Sequence, residues 1–365
     1  MIECRLRDKP FVALISSGLL WVGLLWVGLL WAGLWLAPGS IEAAEPKLFR
    51  FQFSEVHMAT DFRIILYAPN RNTANKAVQA AFTRVGQIDQ RLSDYRPESE
   101  LNRWCRTAGM GTAVPLSDDL FHVVDASQRL ARQTNGAFDV TLGPYTRLWR
   151  RARRRKQLPT ADQLATARRA VGYRNVRLNS ETRTGQLLRK DMRIDLGGIA
   201  KGYAADQALL VLTQHGLPHA LVDGSGDISA GAPPPGTSGW RIGLTNLSEV
   251  SAVERTLLIA HAAVATSGDG WQHVTIDGQR YSHIINPQTG LGLTAARHVT
   301  VVAPDGITAD SLASALSVLG PQRGLKLLEQ RKNVEARILE KTPAGVVSHA
   351  SDGFAELPNV KSLAD

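Results

Sequence analysis

The sequence predicts an α+β fold, a single mixed domain preceded by an N-terminal apolar helix, and three observations carry that reading. Runs with strand character and runs with helical apolar spacing are interspersed without a regular strand–helix alternation, which disfavours a doubly wound sheet. The composition, 44% hydrophobic and 21% charged over 365 residues, is that of a globular chain able to bury a sizeable core. The clear break in composition after the N-terminal segment, A-G-A-P-P-P-G-T-S-G at residues 230–239, is too short for a domain linker and reads as a surface loop.

At the N-terminus, Arg5, Arg7 and Lys9 precede a charge-free tract over about residues 11–38 that repeats L-L-W-V-G. A basic stretch followed by an apolar one is the pattern of an export signal. The tract also reaches the ~20 residues a helix needs to span a bilayer. Residues 1–44 are therefore expected to be an export signal or a transmembrane anchor. Because the basic residues come first, either reading puts the remainder on the periplasmic side, soluble after cleavage or held at the inner membrane. Residues 45–340 are expected to form the domain and 341–365 a C-terminal tail. Of the two cysteines, Cys4 and Cys105, only the second follows the apolar tract, which excludes a disulfide framework and a cysteine-based metal site.

Along the domain, Phe51, Phe53 and residues 62–67 read as two strands linked through 57–61. Ala77, Val78, Ala81, Phe82, Val85, Ile88 and Leu92 have helical spacing, predicting a helix over 75–93. Ser117, followed by Asp118 and Asp119, predicts a capped helix over 117–134 that Gly136 ends. Thr160 caps another over 160–171, closed by Gly172. Strands are expected at 176–179, 186–188, 192–194, 219–222, 240–245, 256–260, 274–276 and 299–303. Helices are expected at 199–215, 310–319 and 324–331.

Three constellations could carry chemistry. In D-L-G-G-I-A-K-G, residues 195–202, paired glycines let the backbone bend and approach a ligand, while a helix start and Lys201 favour an anion. The segment is neither a Walker loop nor G-x-G-x-x-G, so a phosphate site and an ordinary turn into a helix both stand. Asp310 and Ser314 lie one helical turn apart on one face. Such hard oxygen donors suit magnesium, whose shell waters and phosphates complete; the plainer reading is a helix carboxylate beside a tolerated serine. His283, in Y-S-H-I-I-N-P, is either a general base or a structural histidine. His57, His122, His261, His273 and His298 share no metal-ligand spacing, and the G-x-S-x-G hydrolase elbow is absent.

The order of the blocks adds what no single block carries. Met58-Ala59-Thr60, Leu92-Ser93-Asp94-Tyr95 with Ser99-Glu100-Leu101, and G-A-F-D-V-T at 136–141 with Gly143-Pro144 and Trp149 come first. D-L-G-G-I-A-K-G, G-S-G-D-I, A-T-S-G, S-H-I-I-N-P and V-T-V-V-A-P with its later A-D follow. In that order, over residues 51–320, they resemble the ApbE family, the FAD:protein FMN transferases. The resemblance implies that Met58, Tyr95, Ala137, Phe138, Asp139, Asp195, Lys201 and Ile284 contact FAD, the substrate. It implies that the Gly198 carbonyl, Asp310 and Ser314 hold Mg2+. His283 would then take the proton from a Thr or Ser hydroxyl of an acceptor flavoprotein, which receives FMN while AMP leaves. Three positions depart from the family pattern: Ala59 for glycine, Ser314 for threonine and Asn286 for aspartate. A non-catalytic FAD-binding or delivery protein and an FAD pyrophosphatase are the competing readings.

The formal charge is +9, and much of it sits in one run: Arg147, Arg150, Arg151, Arg153, Arg154, Arg155 and Lys156. Trp149 is the single aromatic among them, which disfavours a nucleic-acid partner. A solvated face is the plain reading; attraction to anionic lipid or to the flavin pyrophosphate is the sharper one.

Overall fold

In the central strands both faces are buried. Ala220, Val222, Ala263, Ala265, Val299 and Val301 point into one core, while Leu221, Val264 and Val302 point into another on the opposite face. This period-two division is what a sheet packed on both sides requires. The computed structural model describes residues 47–247, 253–268 and 273–360. The expected N-terminal segment lies outside them. Among the described residues, no helix is long and apolar enough to cross a membrane.

The strands are β1 Phe49–His57, β2 Thr60–Ala68, β3 Val114–Pro115, β4 Val176–Asn179, β5 Thr184–Leu187, β6 Ala220–Gly224, β7 Asp227–Ala230 and β8 Trp240–Thr245. They continue as β9 Val253–Ile259, β10 Ala262–Gly268, β11 His273–Ile276, β12 Gln279–Ser282, β13 Arg297–Ala303, β14 Glu335–Thr342, β15 Gly345–Ala350 and β16 Asn359–Val360. The α-helices are α1 Arg71–Leu92, α2 Glu100–Arg106, α3 Asp118–Gln133, α4 Gly143–Arg155, α5 Ala161–Arg168, α6 Ala200–Gln214 and α7 Gly306–Leu328.

Eight strands form one antiparallel sheet in the order β1-β2-β6-β7-β10-β13-β14-β15. Helices α1, α3, α6 and α7 supply the larger core on one face. The small sheet β16-β9-β8 covers the other, through Trp240, Ile242, Leu244, Leu257 and Ile259. The fold is thus the expected α+β mixture.

Local signals place several helices. Ser117 caps α3 by accepting from the Leu120 amide, and Thr160 caps α5 in a reciprocal box with Gln163. The helices expected at 310–319 and 324–331 are the two arms of α7, broken where Gly320 turns to φ 74° ahead of Pro321. The basic run forms α4, whose buried face is Tyr145, Trp149 and Ala152.

Two expectations fail. Residues 192–194 form no strand. Met192 and Ile194 are buried, but the Ile194 amide donates to Cys105 Sγ (3.3 Å) instead of to a neighbouring strand. The stretch from 341, read as a tail, belongs to the domain. β15 pairs with β14, β16 pairs with β9, and Phe354 is buried in the second core. β15 folds back on β14 through the tight turn Thr342–Gly345, whereas the partner of β16 lies about a hundred residues earlier, where no local pattern announces it.

Candidate functional site

The turn before α6 and the first turns of α7 meet at closest approach. A Cβ on Gly202 would lie 2.0 Å from the Gly306 carbonyl oxygen and 2.9 Å from Asp310 Cβ. A Cβ on Gly198 would lie 2.6 Å from Ser314 Oγ and 3.7 Å from the Phe138 ring. Only glycine lets the backbones come so near. Asp310 is buried, and its carboxylate accepts from the Gly202 amide (3.1 Å). Burial pushes its carboxyl above the usual range, against the pull of the Lys201 charge and of two backbone amides. The Lys201 ammonium is paired with Asp227, the buried last residue of the 223–227 glycine loop. Three blocks distant in sequence, 195–202, 223–227 and 310–314, therefore form one site.

The donors at this junction fit a small hard cation. A buried carboxylate met by backbone amides, a hydroxyl one turn along the same helix, and a glycine backbone against that hydroxyl gather at one place. Among the described residues there is no group of three or more His, Cys, Asp or Glu able to hold a metal. The cation suited to a single carboxylate is one that keeps waters and leans on substrate phosphate, as magnesium does.

The 136–141 turn abuts this junction. Ala137, Phe138 and Asp139 are all buried. The Asp139 carboxylate accepts from the amide of Thr141 (2.8 Å), its hydroxyl (2.6 Å) and the amide of Tyr173 (2.9 Å). Burial raises its carboxyl, and these donors pull the other way. Its side chain is thus engaged in shaping the turn, a task the sequence did not announce. The Asp195 amide donates to the Val140 carbonyl (2.7 Å), and Asp195 Oδ1 accepts from the Gly197 amide (2.9 Å), which sets the bend into α6.

Beside Asp195 lies a cavity of about 340 Å³ lined by Asp94, Tyr95, Asn102, Arg147, Arg150 and Arg193, among others. Arg150 donates to Asp94 (2.5 Å), and its guanidinium lies 3.8 Å from the centre of the Tyr95 ring. Tyr95 nevertheless remains 71% exposed. Burial, then the nearby Asp195 charge, raises the Asp94 carboxyl, with Arg150 opposing. Sequence reasoning missed Arg150 as a site residue; its place in the basic run was the available signal.

His283 and Ile284 follow β12, and both are half-buried. The Ile284 amide donates to Ser282 Oγ (3.1 Å). Asn286 Oδ1 accepts from the Gln288 amide (2.9 Å), so its side chain closes the Pro287 turn with a carbonyl oxygen. An aspartate there would offer the same acceptor, which accounts for the exchange. Trp149 of α4 donates to the Gly290 carbonyl (2.8 Å), and a Cβ on Gly290 would strike the Tyr145 ring at 2.5 Å. These contacts anchor the histidine segment to α4.

Met58 and Ala59 form the two-residue β1–β2 turn, with φ 50° and 60°. β2 pairs Phe62 with Gly224, so the turn stands at the same sheet end as the 223–227 loop. Ala59 thus occupies a left-handed position that favours glycine.

The ApbE family pattern matches residues 58–338. The FAD:protein FMN transferase of Haemophilus influenzae is 30% identical over 296 residues, covering 79% of this chain and 85% of that protein. That of Vibrio cholerae is 31% identical over 286 residues, 77% of this chain and 84% of that protein. The solved flavin transferase ApbE from Vibrio cholerae aligns with a TM-score of 0.76 at 27% identity, over 85% of this chain and 100% of that one. The apo flavinyl transferase ApbE of Pseudomonas stutzeri aligns with a TM-score of 0.76 at 28% identity, over 86% and 98%.

Proposed function

The chain belongs to the ApbE family, and from that premise we propose that it is a magnesium-dependent FAD:protein FMN transferase acting outside the cytoplasm on an acceptor flavoprotein. The observation that carries this reading is the α6–α7 junction, where Gly198, Ser314, Gly202 and Asp310 are packed at glycine-only distances.

In the reaction, a Thr or Ser hydroxyl oxygen of the acceptor attacks the phosphorus of the FMN half of FAD. A phosphoester bond forms, the pyrophosphate bond breaks, and AMP leaves. Such transfer depends mainly on positioning and on the electrostatics around the phosphates. His283 would accept the hydroxyl proton; an imidazole suits that task near neutral pH. Asp310, Ser314 and the Gly198 carbonyl would hold magnesium, which when bound neutralises phosphate charge. The open face of Tyr95 offers the flavin ring a flat apolar partner, with the Arg150 guanidinium stacked over the ring from the other side. Ala137, Phe138, Asp139, Asp195, Lys201, Ile284 and Met58 complete the proposed FAD contacts. The N-terminal basic and apolar segment supports export or anchoring at the inner membrane.

The test is to incubate the purified full-length protein with FAD, magnesium and a candidate acceptor, then weigh the acceptor by mass spectrometry. The expected result is one FMN added per modified hydroxyl, with one AMP released. AMP release with an unmodified acceptor would make the protein an FAD pyrophosphatase. Intact FAD bound to the protein would make it a delivery protein.

A further inference from the structure

A groove of about 1000 Å³ opens along the outer side of α4, walled by α5 and by residues 189–193. Its lining holds eight arginines and lysines against two aspartates, Asp162 and Asp191. Arg147, Arg151, Arg154 and Arg189 are exposed on its walls. Among the described residues, Arg150 is the one cation of α4 engaged in an ion pair, with Asp94. Like charges crowd here, outnumbering the carboxylates. Arg193, then burial, Arg151 and Arg150, hold the Arg147 guanidinium below its ordinary value. Repulsion of this kind lowers stability and is relieved when an anion binds.

Arg147, Arg150 and Arg193 line both this groove and the smaller cavity that contains Tyr95. The positive surface therefore runs from the proposed flavin site outward along α4. We propose, resting on the transferase reading, that the groove is the docking surface for an acidic polypeptide segment of the acceptor flavoprotein, next to the hydroxyl that receives FMN. The acceptor must bring a backbone into the cleft, and a concave channel continuous with Tyr95 guides a chain along one line.

The observations favour a polypeptide over a membrane. None of the exposed large apolar side chains lies on α4, α5 or residues 189–193, so nothing there would enter the acyl region. Trp149 is buried and donates to Gly290, and the residues that line the groove include no aromatic side chain on which successive bases could stack.

The test uses the full-length protein and its Arg151→Glu/Arg154→Glu variant, two exposed positions outside the proposed catalytic set, with Arg151→Gln/Arg154→Gln as a milder pair. Anisotropy of a labelled oligo-glutamate peptide should rise with wild-type protein and fall away at high salt, while an oligo-glutamine peptide stays free. The Glu pair should weaken peptide binding and raise the acceptor KM, each roughly tenfold. Release of AMP from FAD without acceptor should be unchanged, and the Gln pair should fall between. Equal peptide affinity in wild type and the Glu pair, or an unchanged acceptor KM, would overturn the proposal. So would phosphatidylglycerol vesicles that capture the wild type in a manner the Glu pair abolishes while the peptide binds neither. A wild type that labels no acceptor would sink the transferase reading, whereas the peptide arm still reads the groove on its own.

Discussion

At the α6–α7 junction, charge is held at close range: Asp310 by the Gly202 amide, Lys201 by Asp227, and Asp206 by Ser229 Oγ (2.6 Å) and the amides of Gly306 (2.7 Å) and Ile307 (3.0 Å). Along α4, Arg147, Arg151, Arg154 and Arg155 are exposed, while Arg150 pairs with Asp94 and Arg153 is half-buried. The first region is tightly packed, with Gly198 and Gly202 set at distances that admit no Cβ. The second has exposed charge and an open groove. Chemistry on a phosphate asks for the first kind of surface, since misplacement of the reacting groups is costly. Capture of a charged partner asks for the second, because long-range attraction tolerates loose geometry.

Substitutions should separate the two regions. The largest effect is expected from Asp310→Ala, which removes the junction's proposed metal carboxylate. FMN transfer should fall roughly 10²–10³-fold with the fold intact by circular dichroism. Transfer at the wild-type rate would detach the chemistry from this junction.

Gly202→Ala comes next, since its Cβ would fall 2.0 Å from the Gly306 oxygen and drive α6 from α7. Denaturant unfolding should show a loss of roughly 3 kcal/mol. A variant as stable as wild type would mean that the junction gives way more easily than its contacts imply.

A third prediction concerns pH. Burial, more than any opposing donor, raises the Asp206 carboxyl from 3.8 to about 6. A carboxyl raised in the folded state binds its proton more tightly there than in the unfolded chain. Its contribution is fully present below about pH 4 and is lost as pH rises through about 6. Urea midpoints should show wild type losing on the order of 2–3 kcal/mol across that window relative to Asp206→Asn. Parallel pH profiles for the two proteins would contradict this.

The smallest effect belongs to the β1–β2 turn. Ala59 has φ 60°, and Ala59→Gly should stabilise the protein by about 0.5–1 kcal/mol in thermal unfolding. A loss of stability would show that the Ala59 methyl makes contacts worth more than the strain.

The junction was the more legible region in the sequence, and the reason is local. The 195–202 glycines and the Asp310–Ser314 spacing are each read within a turn or two of chain. The caps Ser117 and Thr160 were legible for the same reason. What escaped depends on partners far apart. β10, A-A-V-A-T-S-G, is built of small residues whose alternation shows only when β7 and β13 bury both faces. β14 joins the sheet by pairing with β13, some forty residues earlier, and β16 pairs with β9 from about a hundred residues away. The Arg150–Asp94–Tyr95 cluster joins residues 56 positions apart, and Asp139 spends its carboxylate on Tyr173, 34 positions on. The run 192–194 shows the converse error: its apolar character marked burial, and burial without a ladder partner makes no strand.

The most direct measurement of the junction's proposed role is the magnesium dependence of FMN transfer in wild type and Ser314→Ala. Loss of one hydroxyl should raise the half-saturating magnesium concentration roughly tenfold or more while high magnesium restores most of the rate. Superimposable magnesium curves for the two proteins would contradict a metal held between Gly198, Asp310 and Ser314.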